Sequence, residues 1–303
     1  MIPPRVEAWV QRHCADTITA VEPVGGGRTD TIWSVRSGES EPLILRYVEI
    51  ETWGETGRRH IVSEARGCRL MAGTALPVPR LIATDPDGQE TGAYVNLTSW
   101  LPGQARLGPL SEQAIDELAR VAVVIHHTPV ADEERPQPYE FWTPPDLAVP
   151  TWTSRPALWQ SAIDLFAAGP PATAHGLVHR DFHPGNILWL GDRITGVIDW
   201  AETSWGPPDL DVVHSCTNFA MLHDFASARA FLAAYRGHGG RLESDPEAAR
   251  FWAVSDILGF LPDPDPVVRA LTVTRPHLTP DRLRTRLEEL LELTMAARAT
   301  SSA

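Results

Sequence analysis

The sequence predicts an α+β protein in which a small antiparallel sheet with one main helix precedes a larger, mostly helical part. Three observations carry this. β-Branched and aromatic runs crowd the first third, helical apolar periodicity fills most of the rest, and a breaker cluster, Leu101-Pro102-Gly103, lies between them. Residues 1–98 are accordingly assigned to a first lobe and residues 99–303 to a second.

In chain order, ITAVEPV, TIWSV and LILRYV read as strands separated by GGG and SGESEP, the pattern of a twisted antiparallel sheet. A helix is expected from Arg59 to Ala72, with Ile61, Ala65, Cys68 and Ala72 on one face. PRLIAT and AYVNLTSW then resume the strand pattern. Ser111 to His127 reads as a helix with Ser111 as N-cap and an apolar stripe of Ile115, Leu118, Val121 and Ile125. Arg135 to Pro156, rich in proline and tryptophan, has no clear period and reads equally as an irregular loop over a cleft or a packed surface excursion. Further helices are expected from Asp209, Phe225, Pro246 and Thr279 onward.

Composition narrows the chemistry. A net charge of -13 over 303 residues argues against nucleic-acid or anionic-membrane partners, which need clustered positive charge, and suits a cationic small molecule. The opening MIPPRVEAWVQRHC lacks an apolar core of signal-peptide kind, and no run of about 18 apolar residues occurs, so a cytoplasmic protein is expected. Cys14, Cys68 and Cys216 are odd in number and far apart, which yields neither a disulfide framework nor a CxxC metal site. The chain has no lysine, and this excludes Schiff-base lysine chemistry and the Walker A lysine.

The stretch VHRDFHPGNILW, from Val178 to Trp189, concentrates chemical side chains. His179 and His183 are four apart, but Pro184 and Gly185 oppose the helix that would put both on one face. No glutamate follows the first histidine, so zinc is a weak reading. Downstream, Ile187–Leu190 and Ile194–Ile198 form a hairpin pattern around Gly191-Asp192-Arg193. With Asp192-Arg193 as the loop, Asn186 and Asp199 face each other with β-carbons about 5 Å apart; a Gly191-Asp192 loop shifts that register by two. A carboxylate beside a carboxamide oxygen suits Mg²⁺. Asp181 is the carboxylate in reach that can accept a proton from an attacking hydroxyl.

HRDFHPGN, followed by IDW and GPPDLDVVH, resembles the aminoglycoside phosphotransferase and choline kinase family, small-molecule relatives of the protein kinases. The resemblance implies a two-lobed protein-kinase-like fold, Mg²⁺ as cofactor, and transfer of the γ-phosphoryl group of ATP or GTP to a small hydroxyl compound. It makes Asp181 the catalytic residue and Asn186 and Asp199 the metal ligands, with His179 and Asp211 supporting the catalytic loop. VGGGRTDTIWSV resembles the nucleotide loop, with Gly26, Gly27 and Thr29 as its phosphate-side residues, and Ser99 and Leu101 resemble the purine-binding hinge. One departure stands out: Arg46 occupies the place of the phosphate-contacting lysine, with Glu64 as its expected partner. His126 and His127 are read as packing or helix-dipole residues without a catalytic role.

The family's acceptors include aminoglycosides, macrolides, choline, homoserine and modified sugars, and the motifs are common to all of them. Glu202, Asp256 and Asp263, together with Glu140 and Asp265, are the acids expected to meet an amine-bearing acceptor. Trp142, Trp152, Trp200, Trp205 and Trp252 are candidates for an apolar or sugar-binding wall. The leading expectation is an antibiotic-type kinase, acting as a monomer or homodimer on a nucleoside triphosphate and a small hydroxylated, amine-bearing substrate. The alternatives are a metabolic kinase of choline, homoserine or sugar type and a catalytically impaired nucleotide-binding pseudokinase.

Overall fold

A computed structural model describes residues 2–24, 31–106, 108–144, 146–264 and 278–297. The chain divides into two compact units. The first takes in Met1–Ala105, Val130–Gln137 and Asn186–Ser204; the second takes in Arg106–Pro129, Pro138–Gly185 and Trp205–Ala303.

In the first unit, β1 (Ile18–Pro23), β2 (Thr31–Ser37), β3 (Leu43–Val48), β4 (Leu81–Asp85) and β5 (Tyr94–Ser99) form an antiparallel sheet of order β1-β2-β3-β5-β4. Alternation sends Val35, Leu45, Val95 and Leu97 to one face, where they bury against Val6, Trp9 and Val10 of helix α1 (Pro4–Gln11). This helix escapes a periodicity search because it is only eight residues long; Pro4 opens it at a position where a missing N–H costs nothing. Helix α2 runs from Ile50 to Met71, longer than the expected Arg59–Ala72. Gly54, at φ 47° and ψ -136°, breaks its first turns and hides their period.

A second sheet of the same unit has the order β6-β8-β9, from β6 (Gln104–Ala105), β8 (Ile187–Leu190) and β9 (Arg193–Val197). The two-residue loop is Gly191-Asp192, with Leu190 opposite Arg193 and Gly191 at φ 59°, the left-handed conformation such a loop requires. A bulge at Thr195 then adds one residue to β9, so Leu188 faces Gly196 and Ile187 faces Val197. The expected pairing of Asn186 with Asp199 is therefore corrected by one position: the Ile198 N–H donates to the Asn186 carbonyl at 3.0 Å.

The second unit is helical: α3 (Glu112–His126), α4 (Pro156–Ala167), α5 (Asp209–Leu222), α6 (Phe225–Gly237), α7 (Pro246–Leu258) and α8 (Pro280–Ala296). Ser111 caps α3 by accepting from the Ala114 N–H at 3.2 Å, and its stripe of Ile115, Leu118, Val121 and Ile125 is buried. Trp159, Met221, Val254, Leu258, Leu283 and Leu287 form the main core. Trp252 is fully buried beside Phe141, Phe166 and Phe251, so it is a packing residue and not part of a ligand wall. Among the described residues no helix is long and apolar enough to cross a membrane.

Candidate active site

Arg46 sits mid-strand in β3, opposite Ile32 of β2 and Asn96 of β5. Its side chain therefore leaves the sheet on the face opposite Leu45, toward α2. Its Nε donates to Glu64 Oε1 at 2.9 Å, and its Nη2 donates to Asp199 Oδ1 at 2.9 Å. One guanidinium thus bridges two carboxylates, which a single-point ammonium is poorly shaped to do. Asn96 Nδ2 donates to Glu64 Oε2 and to the Ile61 carbonyl, both at 2.8 Å, and ties α2 to β5. Arg46 is 5% exposed, so this is a buried pair and not a surface one. Burial pushes the Glu64 carboxyl up, and the Arg46 guanidinium and Asn96 amide offset only part of that.

Two features bring Asp199 to this place. α2 approaches the turn after it closely, because a Cβ on Gly67 would stand 2.5 Å from Thr203 Oγ1 and 3.0 Å from Trp200 Cβ. Trp200, fully buried, anchors that turn by donating its Nε1–H to the Val197 carbonyl at 2.9 Å. Asp199 itself is left-handed, at φ 62° and ψ 61°, a conformation held by its surroundings. Arg46 engages Oδ1, and the Asp199 side chain stays 29% exposed. The backbone bond from Ile198 N–H to the Asn186 carbonyl keeps Asn186 next to the strand end that carries Asp199, and a carboxylate and a carboxamide are hard oxygen donors without a thiolate, a donor set that fits Mg²⁺.

In the second unit the loop after β7 (Gly176–Val178) carries His179 to Asp181. Among the described residues Arg180 is the other non-glycine residue with a left-handed backbone, at φ 74°. Asp211, in the first turn of α5, holds it there: the His179 N–H donates to Oδ2 at 2.8 Å and the Arg180 N–H donates to Oδ1 at 2.6 Å. His126 faces the same carboxylate with Nε2 at 3.0 Å, and its Nδ1 lies 2.7 Å from the Tyr235 hydroxyl. Burial would push the Asp211 carboxyl up, but His126, His179 and the loop N–H groups pull it below its ordinary value. His126 is thus more than a packing residue: it grips the aspartate that shapes the loop.

The Asp181 carboxylate, with its side chain 30% exposed, is flanked by two imidazoles. His214 Nε2 lies 3.2 Å and His183 Nε2 3.5 Å from its Oδ1. Burial pushes Asp181 up, yet His183, His214 and His179 together hold it far below the usual carboxylate range. His214 in turn meets Asp256 Oδ1 through Nδ1 at 2.9 Å. The proline-rich segment contributes Trp142, which takes the Arg180 guanidinium over its ring at 3.8 Å and stands edge-on to His214.

The remaining expected residues are dispersed. Gly26, Gly27, Thr29 and Asp265 lie outside the described residues. Ser99 ends β5, exchanging hydrogen bonds with Arg80, and Leu101 packs over Gly196 of β9. Of the acids expected to meet an acceptor, Glu202 faces His60 Nε2 at 3.0 Å, Asp256 is buried against His214, and Asp263 pairs with Arg284. Sequence reasoning did not single out His214 or Asn96; the one local signal for His214 is its place three residues after Asp211, one helical turn along.

The profile of the phosphotransferase enzyme family matches residues 20–252. A homoserine kinase of Nitrobacter hamburgensis is 33% identical over 90 residues, which is 28% of this chain and 28% of that protein; the match thus spans less than a third of the relative's length. A spectinomycin phosphotransferase solved with ADP and spectinomycin superposes with a TM-score of 0.64 at 14% identity, covering 96% of this chain and 97% of that one. A macrolide 2'-phosphotransferase from Brachybacterium faecium gives a TM-score of 0.58 at 17% identity over 94% of this chain and 96% of that one. The fold is the two-lobed kinase-like fold of the aminoglycoside phosphotransferases, with an antiparallel-sheet amino-terminal lobe.

Proposed function

We propose, for a chain that belongs to the phosphotransferase enzyme family, that it moves the γ-phosphoryl group of ATP or GTP to a hydroxyl of a small molecule in the cytoplasm, with Mg²⁺ as cofactor. The observation that carries this reading is the Asp181 carboxylate, flanked by His183 and His214, in a loop braced by Asp211. A carboxylate held so far toward its charged form is a weak base. It suits a loose phosphoryl transition state, in which the hydroxyl needs orienting early and its proton removing late. Asp181 accordingly accepts the hydroxyl's hydrogen bond and takes its proton as the new P–O bond forms and the γ-phosphorus parts from the β,γ-bridging oxygen, which leaves with the nucleoside diphosphate.

Asn186 and Asp199 would hold Mg²⁺, which when bound offsets charge on the phosphate oxygens. Arg46, kept extended by Glu64 and Asp199, presents a permanent cation that no pH change removes. That pairing also supports a working kinase over an impaired nucleotide binder, because the arginine retains the carboxylate partner expected of a lysine at this position. Gly26, Gly27, Thr29, Ser99 and Leu101 are the proposed nucleotide contacts.

An antibiotic-type acceptor is supported by relatives of the same fold, one solved with spectinomycin. A homoserine-type acceptor is favoured by a different observation: Glu202, Asp256 and Asp263 each already face a basic side chain, so they are poor anchors for a polycation. Incubation with Mg²⁺-ATP or Mg²⁺-GTP and a panel of hydroxylated amines, sugars, amino acids and antibiotics is expected to add the mass of one phosphoryl group to one class. Asp181→Asn is expected to lower turnover about 10²-fold or more. Unchanged single-turnover transfer in that variant would remove Asp181 from its role.

A further inference from the structure

His214 projects from the second turn of α5 and is nearly closed off from solvent. Two of its neighbours are carboxylates on opposite sides of the ring: Asp256 Oδ1 from α7 lies 2.9 Å from Nδ1, and Asp181 Oδ1 from the loop lies 3.2 Å from Nε2. With both carboxylates as acceptors, both ring nitrogens supply protons, as an imidazolium does. The amide of Asn218, one turn along, lies 3.1 Å from Nε2 and donates to the His214 carbonyl at 2.9 Å. An Nε2 that carries a proton cannot accept that N–H, so the amide serves the carbonyl. Phe260 stacks on one face of the ring and Trp142 abuts it edge-on, which leaves it little freedom to turn.

Among the described residues, His183 lies 5.7 Å from the ring between centroids, Arg180 is held over Trp142, and Cys216 lies two residues along the helix. Burial disfavours a charged imidazole, but Asp256 and Asp181 more than offset it, and the ring is pushed up to about 9. Asp181, His183 and His214 also lie close enough together to invite a transition metal. The protons argue otherwise. The Gly185 N–H donates to His183 Nδ1 at 3.0 Å, which places that ring's own proton on Nε2, the nitrogen facing Asp181. Both imidazoles therefore present N–H groups, not lone pairs, to the carboxylate.

We propose that His214 is a positioning residue for phosphoryl transfer: clamped by Asp256, it donates to Asp181, sets the plane of that carboxylate and keeps it charged for the incoming hydroxyl. This rests on the reading of Asp181 given above. Asp256 then acts as the clamp on the clamp, and the Asp256–His214–Asp181 row joins α7, α5 and the loop in one hydrogen-bonded line. The arrangement trades basicity for order, which a loose transition state tolerates.

Two measurements decide it. The first needs no acceptor: ¹⁵N spectra of the histidine rings across pH 5–10 are expected to show the His214 nitrogens both protonated at neutral pH. Its midpoint should lie near 9 and fall by a unit or more in Asp256→Asn. A neutral His214 ring at pH 7 would overturn the proposal. The second is the pH profile of ADP release from Mg²⁺-ATP, with water or the acceptor found by the panel.

Wild type is expected to be flat on the acid side through about pH 4. In His214→Gln, Asp181 drifts back toward or above the ordinary carboxylate value of about 4, so an acidic limb enters the profile. Turnover in that variant should also drop about tenfold at neutral pH with KM for the nucleotide unchanged. A His214→Gln enzyme that melts lower but keeps the wild-type profile shows a purely structural residue and sinks the inference. Asp181→Asn separates the two readings: if it leaves ADP release intact, the role of Asp181 fails first. If it abolishes release while His214→Gln changes nothing, only the positioning role fails.

Discussion

The two units of this protein each bury one cation between two carboxylates, and they use different cations. In the first, Arg46 joins Glu64 to Asp199; in the second, His214 joins Asp181 to Asp256. Arginine stays charged at every accessible pH, whereas histidine keeps its charge only while its partners do. The Arg46 cluster is therefore built as a constant, and the His214 cluster as a group whose charge can be removed. Under the proposed function these would meet different chemical needs: steady compensation of nucleotide charge in one case, and a carboxylate of controlled basicity in the other.

The sharpest way to break the comparison is to delete the permanent cation. Arg46→Met leaves Glu64 and Asp199 facing each other without compensation, Glu64 at a buried site, and should cost about 3–5 kcal/mol in urea unfolding. Arg46→Lys should fall between this variant and wild type, because an ammonium reaches one carboxylate well but lacks the fork for two. A wild-type midpoint for Arg46→Met would mean that the bridge contributes no net stability.

A smaller effect should distinguish the second cluster from the first. The folded-state midpoint of His214, near 9, lies above its unfolded value of about 6.5. The folded protein thus binds this proton more tightly. The stabilisation is fully present below pH 6.5 and is lost as pH rises through 9, a contribution on the order of 2–3 kcal/mol. Denaturation midpoints measured at steps across pH 6–9 should decline in wild type and stay level in His214→Gln. A decline of equal size in both would assign it to another group.

The smallest effect is expected where the same charges are less buried. Arg284 and Asp263 pair on α8 and the segment before it, with side chains 27% and 31% exposed. Arg284→Ala should change stability by under about 1 kcal/mol, and added salt should erase most of the difference. A cost comparable to that of Arg46→Met would show that burial is not what separates these pairs.

Much of the architecture was legible along the chain. The strand runs, the α3 stripe with its Ser111 cap, and the starts of α5, α6 and α7 follow from periodicity and capping, which are local properties. The two helices at the amino end resisted for local reasons as well: α1 is too short to establish a period, and Gly54 interrupts α2. The hairpin shows where counting stops. Its turn residues were visible, but the bulge at Thr195 moves Asn186 opposite Ile198, and nothing in the residue types announces an extra residue in a strand.

By itself the sequence determined the order of the main-sheet strands and of α2, α3 and α5 to α8, the absence of any lysine, and the spacing of Asp181, Asn186 and Asp199, because each of these is a property of neighbours along the chain. Only the tertiary structure decided that Arg46 meets a carboxylate 153 residues away and that His214 lies between Asp181 and an aspartate 42 residues further on. Such meetings depend on which faces of separate elements pack together. A side chain's charge partner, and through it its protonation, is set by that packing and has no period to read.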